Sequence, residues 1–161
     1  LSKSSQKGVI KVGQYYYAVN ITKKEYIRPW DVGGVAKLWE WGANITQAGL
    51  LVLLLGWSNS SGGGDPDWDD PQIKMVAGRW AGDRVALVGD YYSPDEKDLP
   101  TWDTIEEEYL NISLIVIPAW NKFIEIEKYK IKPKLTPKIR PDMVISNTHG
   151  KIVIRKSPIV K

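Results

Sequence analysis

Apolar and polar positions alternate along this chain with two different periods, and the places where the period changes mark the elements. Near the start, "GVIKVGQYYYAVNITKKEYI" is rich in Val, Ile and Tyr and breaks at "NITKK". That pattern predicts an N-terminal hairpin with strands near 14–20 and 24–28. Pro29 and the Gly33-Gly34 pair interrupt it, after which "VAKLWEWGAN" sets Val35, Leu38, Trp39 and Gly42 at helical spacing, with Lys37 and Glu40 on another face. A short amphipathic helix is expected there. "QAGLLVLLLG" is apolar all round and reads as a buried helix that Thr46 can cap, with a buried strand as its competitor.

The run "GWSNSSGGGDPDWDDP", 56–71, holds too many glycines, prolines and serines for a regular element and predicts a long surface loop. "RVALVGDYY" follows as a continuous apolar strand from Arg84 to Gly89, framed by the turn pairs Gly82-Asp83 and Gly89-Asp90. Being apolar on both sides, it is expected to be the central and most buried strand. "WDTIEEEYL" predicts a charged helical turn or two. Asn111 can cap a helix through "ISLIVIPAWNKFIEIE", which Pro118 would kink or end early. Beyond Lys128, "KYKIKPKLTPKIRP" spaces prolines among basic residues as an extended strap, and "MVISNTHGKIVIRK" carries a hairpin signal around 147–150.

The elements add up to an α+β fold: a single small domain with a mixed or antiparallel sheet, two to four helices and a C-terminal β-hairpin arm. With 161 residues, 43% of them hydrophobic, the chain can form one domain that hides about two thirds of its unfolded surface. A compact body is expected over 1–127 and the arm over 128–161. The absence of cysteine excludes disulfides, thiolate zinc sites and a cysteine nucleophile, and agrees with a reducing interior. The longest apolar run, Ala48 to Trp57, is about half of what a membrane-spanning helix needs, and the first residues lack a signal peptide's basic-then-apolar order. A soluble protein without membrane association is expected, cytoplasmic or virion-associated.

Charge changes this picture. The net +3 hides a split: residues 1–127 carry 12 Lys/Arg against 18 Asp/Glu, and residues 128–161 carry 10 against 1. An acidic body thus adjoins a basic tail, and the two attract either within one chain or between neighbours. The expected contacts from the tail are Lys130, Lys132, Lys134 and Arg140, with Ile152 and Ile154 supplying apolar burial from the hairpin. Trp57 and Trp68, placed in the polar loop, are candidate anchors for a partner.

Little catalytic chemistry is offered. His149 is the only histidine, so no histidine triad or multi-histidine metal site exists within one chain, and no cofactor-binding pattern is present. "SGGGDPDWDD" lacks the lysine and Ser/Thr of a phosphate-cradling loop. Asp65, Asp67 and Asp69 alternate as the first ligands of a calcium loop do, but Asp70 and Val76 stand where its glycine and glutamate belong. They remain weak hard-cation candidates. Asp83 and Asp90, at opposite ends of one strand, lie roughly 23 Å apart, too far for a catalytic pair. Gly82, Asp83, Gly89 and Asp90 are therefore read as structural turn residues. Asn20, Asn44, Asn59 and Asn111 each begin an N-x-[S/T] sequon, and Asn59 in the open loop is the glycosylation candidate, which would place the protein on a cell surface or outside it.

The order "KKEYIRP", "GGVAKLWEWGAN", "GGGD", "WAGDRVALVGDYY" and "YLNIS" resembles an uncharacterised family of small bacterial, archaeal and phage proteins. Its marks are a W-x-G-D-x-[IV] then G-D-Y signature and a closing Tyr-x-x-Ile-Ser segment. The resemblance spans about 14–125 and implies no activity. Where members carry histidine after the first proline, this chain has Trp30 and Asp31, which removes a polar group.

Three function classes compete on these grounds. The first is a non-enzymatic interaction or self-assembly module, a homo-oligomer whose basic arm docks on the acidic body of a neighbour. The second is a nucleic-acid binder using the basic tail. The third is a hydrolase-like enzyme with carboxylates and a divalent cation between Asp65 and Asp90.

Overall fold

A computed structural model describes residues 13–57, 62–94 and 97–132, together with the backbones of two C-terminal strands at 143–148 and 151–156. Its centre is a mixed four-stranded sheet of order β3-β1-β2-β4, formed by β1 (Tyr16–Asn20), β2 (Glu25–Ile27), β3 (Val85–Gly89) and β4 (Leu110–Asn111). β1 runs antiparallel to both neighbours, and β2 pairs in parallel with β4. The expected N-terminal hairpin is present. Its turn closes where Asn20 Oδ1 accepts the Lys23 N–H at 2.8 Å, and Lys24 takes a left-handed φ of 55°.

Among the described residues five α-helices complete the α+β domain: α1 (Leu38–Ala43), α2 (Ile45–Leu55), α3 (Pro71–Lys74), α4 (Trp102–Glu108) and α5 (Ser113–Phe123). Side chains alternate across the strands, so the sheet buries two different sets. Ala18 and Ile27 join Trp41, Leu50, Leu54, Trp80, Ile117 and Trp120 in the main core, with Val85 and Leu87 packed at its margin. Tyr17, Val19, Tyr26 and Val88 join Ile105 and Tyr109 in a smaller core on the other face.

This two-faced burial corrects one expectation. β3 is apolar on both sides yet lies at the edge of the sheet, and the buried strands are β1 and β2. Both faces of β3 pack against core residues, with Val85, Ala86 and Leu87 only part-buried, while among the described residues no strand pairs with its other lateral edge; hydropathy reports faces and is blind to edges.

Two helix boundaries also differ from expectation. Asn44, rather than Thr46, caps α2 by accepting the Gln47 N–H at 3.0 Å, while the Thr46 hydroxyl donates to the Tyr129 carbonyl at 3.1 Å. α5 runs through Pro118 to Phe123, because the buried row of Ile115, Val116, Ile117, Ala119 and Trp120 outweighs one lost backbone donor. At the end of the loop expected over 56–71, Asp70 Oδ1 caps α3 by accepting the N–H groups of Gln72 and Ile73.

β5 (Met143–Thr148) and β6 (Lys151–Lys156) pair antiparallel as a separate two-stranded sheet, with Ile145 opposite Ile154. The hairpin expected from the sequence is thus seen in backbone, with its turn residues, His149 among them, outside the described residues. The strap at 133–142 lies outside them as well. Its beginning belongs to the body. Tyr129 O accepts from Trp120 Nε1 at 2.8 Å, and the buried Ile131 exchanges two hydrogen bonds with the Asn121 side chain.

Candidate functional site

The stretch "GRWAGD" at 78–83 serves as a latch. Glu25 on β2 is buried, and its carboxylate accepts from Arg79 Nε at 2.9 Å and from Trp80 Nε1 at 2.9 Å. Arg79 Nη2 adds a second prong to the same carboxylate at 2.5 Å. One turn on, Asp83 accepts from Asn20 Nδ2 at 2.8 Å and pairs with Lys23. The hydrogen bonds from Lys23 and Asn20 hold the Asp83 carboxyl below its usual pKa. Gly82 carries a φ of 79° that the turn requires. Gly82 sits in a turn with a left-handed backbone, while Asp83, expected to hold its own turn backbone, holds a distant hairpin instead. Asp90 accepts the Tyr15 N–H at 3.1 Å across the strand pair. Gly89 belongs to β3 and has no positive φ; a side chain there would meet Gln14 at 2.3 Å.

The other carboxylates of 65–90 are dispersed. Among the described residues no three Asp, Glu or His side chains gather as a metal would need, so Asp65, Asp67 and Asp69 form no such group. Asp67 Oδ1 accepts the Asp69 N–H at 3.0 Å, and Asp70 pairs with Lys122 at 2.8 Å. That pairing, with the bonds from the Gln72 and Ile73 N–H groups, lowers the Asp70 pKa.

Three of the four sequons are also committed. Asn20 is fully buried, Asn44 caps α2, and Asn111 donates to Asp31 at 2.8 Å while accepting the Ser113 N–H at 3.0 Å. Asn59 lies outside the described residues.

Sequence reasoning missed a cluster on the smaller core's face. Tyr17 stacks on Trp102 with ring centroids 3.5 Å apart and donates to Glu106 at 2.6 Å; Trp30 meets both rings edge-on. Burial, then the Glu106 charge, pushes the Tyr26 phenol up to about 12 and the Tyr17 phenol higher still. Arg28 lies over Trp30 and bonds Asp31 at 2.7 Å. The rings fill one another's faces, so this cluster packs the sheet. The only trace in the sequence was its spread of aromatics over three separate segments.

The two loop tryptophans part company. Trp57 is 78% exposed, whereas Trp68 turns inward against the main core; the rings meet edge-on at 5.8 Å. On α2 itself Ile45, Val52 and Leu55 are exposed along one side, while Trp57, just past its end, lies beside Gly78 and Trp68. Trp39 on α1, 70% exposed, adds to the apolar surface of the α1–α2 pair. Between α2 and β3 lies an open groove of about 200 Å³, lined by Leu51, Leu55, Val85 and Leu87 with Trp80.

The β3 edge completes this surface. Asp90 N–H donates to the Tyr15 carbonyl and Ile21 N–H to the Arg84 carbonyl, so the even-numbered residues of β3 are those bonded to β1. Antiparallel pairing alternates, and Val85, Leu87 and Gly89 turn their backbone groups outward. Gly89 O accepts the Tyr92 N–H at 3.1 Å, and among the described residues no other backbone bond reaches this outer side.

On the basic side, Lys128, Lys130 and Lys132 line a polar cleft of about 370 Å³ with Asn44, Thr46 and Glu127. Lys130 pairs with Glu127 of its own chain rather than with the acids of 95–108. Lys134 and Arg140 lie outside the described residues, as do the side chains of Ile152 and Ile154. Among the described residues no helix is long and apolar enough to cross a membrane. No family model, curated protein or solved structure matches the chain.

Proposed function

We propose that this protein is a non-enzymatic interaction and assembly module. The observation that carries the reading is the open β3 edge beside the exposed apolar face of α2. Monomeric proteins seldom leave such surfaces uncovered, because an unpaired edge templates further strands and apolar patches of this kind mark contacts. The basic arm adds to the same function by docking on the acidic surface of a neighbouring chain, where α4 presents Asp103, Glu106, Glu107 and Glu108. A two-stranded sheet such as β5–β6 is marginal in water by itself; β5 approaches β4 of its own chain, and a neighbour's surface would add to that support.

Light-scattering mass tests this. The full chain is expected to assemble, with less assembly in a Val52→Asp, Leu55→Asp variant and in a chain ending at Lys132, which keeps the buried Ile131. Unchanged mass in the first variant would refute the role of the α2 face, and in the second the role of the arm. The lysine-lined cleft supports a second reading, nucleic-acid binding through the basic segment. It predicts retention of DNA that weakens steeply with salt; no retention at low salt would dismiss it.

A further inference from the structure

We infer that the occupant of the β3 edge is β3 of a second copy of this chain, paired antiparallel about a two-fold axis at Leu87. The inference rests on the assembly reading and adds the partner and the register. Hydrogen-bonded positions in an antiparallel pair must both face outward, which restricts the choice to Val85, Leu87 and Gly89 against the same three in the partner. Centred on Leu87, Val85 faces the partner's Gly89, Ala86 faces the partner's Val88, and Leu87 faces the partner's Leu87. Every residue of the strand is then matched, with the Gly89 carbonyl shared between the partner's Val85 N–H and the Tyr92 N–H that it already accepts. The isologous contact closes on itself as a dimer.

Charge selects the same register. Arg84 and Asp90 flank β3, and in this alignment Arg84 stands opposite the partner's Asp90, twice by symmetry. Their side chains share a face, since both positions are even-numbered. A slip of two residues in either direction places Arg84 opposite the partner's Tyr92 or Val88 and leaves one strand end unmatched. Arg84 is half-exposed, and among the described residues its guanidinium pairs with the fully exposed Asp98, through a 3.5 Å ion pair and a 2.7 Å bond to its carbonyl, with the Tyr109 phenol within reach of its charge. Asp90 keeps one carboxylate oxygen on the Tyr15 N–H. No charge or proline interrupts 85–89, the devices by which edge strands repel their own kind. On the α2 side, Leu87 of each chain sits at the mouth of the apolar groove, so the contact brings the two grooves together.

The absence of cysteine makes the test clean. In full-length Leu87→Cys, the two Cα atoms across the axis would lie about 5.5 Å apart, within disulfide range, and mild oxidation is expected to give a covalent dimer. A Lys74→Cys control on α3 should form no covalent dimer under the same conditions. Independently, Arg84→Asp should weaken self-association about tenfold or more, since it replaces two attractions by two repulsions, and adding Asp90→Arg should restore most of it. Assembly of the full chain with neither cross-linking at residue 87 nor a response to charge reversal would overturn this register while leaving the assembly reading in place. A full chain that is monomeric at all concentrations would overturn both. If Leu87→Cys fails to fold, the charge swap decides alone.

Discussion

Glu25→Ala should cost this protein a large share of its stability. The Glu25 carboxylate is buried and holds three donors, Arg79 Nε and Nη2 and Trp80 Nε1, between 2.5 and 3.0 Å. Removing it leaves the Arg79 guanidinium without its counter-charge and the indole N–H of Trp80, a fully buried residue, without an acceptor. Breaking a buried ion pair costs about 3–5 kcal/mol. Arg79 is 30% exposed and can recover some hydration, so the low end applies to it. The stranded indole adds about 1–3 kcal/mol. Because the two losses share one carboxylate they do not simply add, and we expect about 4 kcal/mol for Glu25→Ala against about 2 kcal/mol for Glu25→Gln, which keeps an acceptor. Urea unfolding followed by tryptophan fluorescence measures both, with Arg79→Ala and the double variant completing a cycle. A Glu25→Ala loss below about 1 kcal/mol, or a cycle with no coupling, would refute the latch.

Gly82→Ala should cost about 1 kcal/mol from backbone conformation alone, since φ is 79° and no atom lies within 4 Å of the added Cβ; an unchanged urea midpoint would contradict this. Gly49→Ala, normally helpful in a helix interior, should instead destabilise by about 1–3 kcal/mol because its Cβ would fall 2.2 Å from the Trp120 ring, and a raised Tm would count against that close packing of α2 on α5. Expressed in a glycosylating host, the folded chain should carry no glycan at Asn20, whose amide is buried on Asp83; glycopeptide mass spectrometry finding one there would be inconsistent with the latch. The fold favours the protonated phenols of Tyr17 and Tyr26, both raised by burial first and then by Glu106. Above about pH 10 the unfolded chain holds fewer phenolic protons than the native one, so this stabilisation is whole below that pH and fades as pH climbs through the folded values. The urea midpoint should fall between pH 9 and 11, less steeply in Tyr17→Phe; parallel slopes would refute the assignment.

What the sequence by itself determined is what local periodicity and turn chemistry encode. The hairpin at "NITKK", a short helix at α1, the apolar α2, the strand at 85–89 and the C-terminal hairpin all follow from side-chain spacing within a few residues, but the face expected to be buried on α1 was wrong: Leu38 and Trp39 are exposed and Trp41 is buried. In "GRWAGDRVALVGDYY" the turn at Gly82 was legible from its Gly-Asp pair, whereas Gly89, expected in a second such turn, is part of β3. The partners of this stretch were not legible. Arg79 meets Glu25 across 54 residues, Asp83 meets Asn20 across 63, and Asp90 meets Tyr15 across 75, and no local rule reaches that far. The helix caps were misjudged for a smaller reason: Asn44 and Thr46 both have capping side chains, and only the docking of Tyr129 on α2 decided which oxygen was needed elsewhere. Above all, strand order had to come from the tertiary fold. An apolar sequence states that both faces of β3 are covered, while the free edge that carries the assembly reading exists only because β1 took one side of that strand and nothing among the described residues took the other.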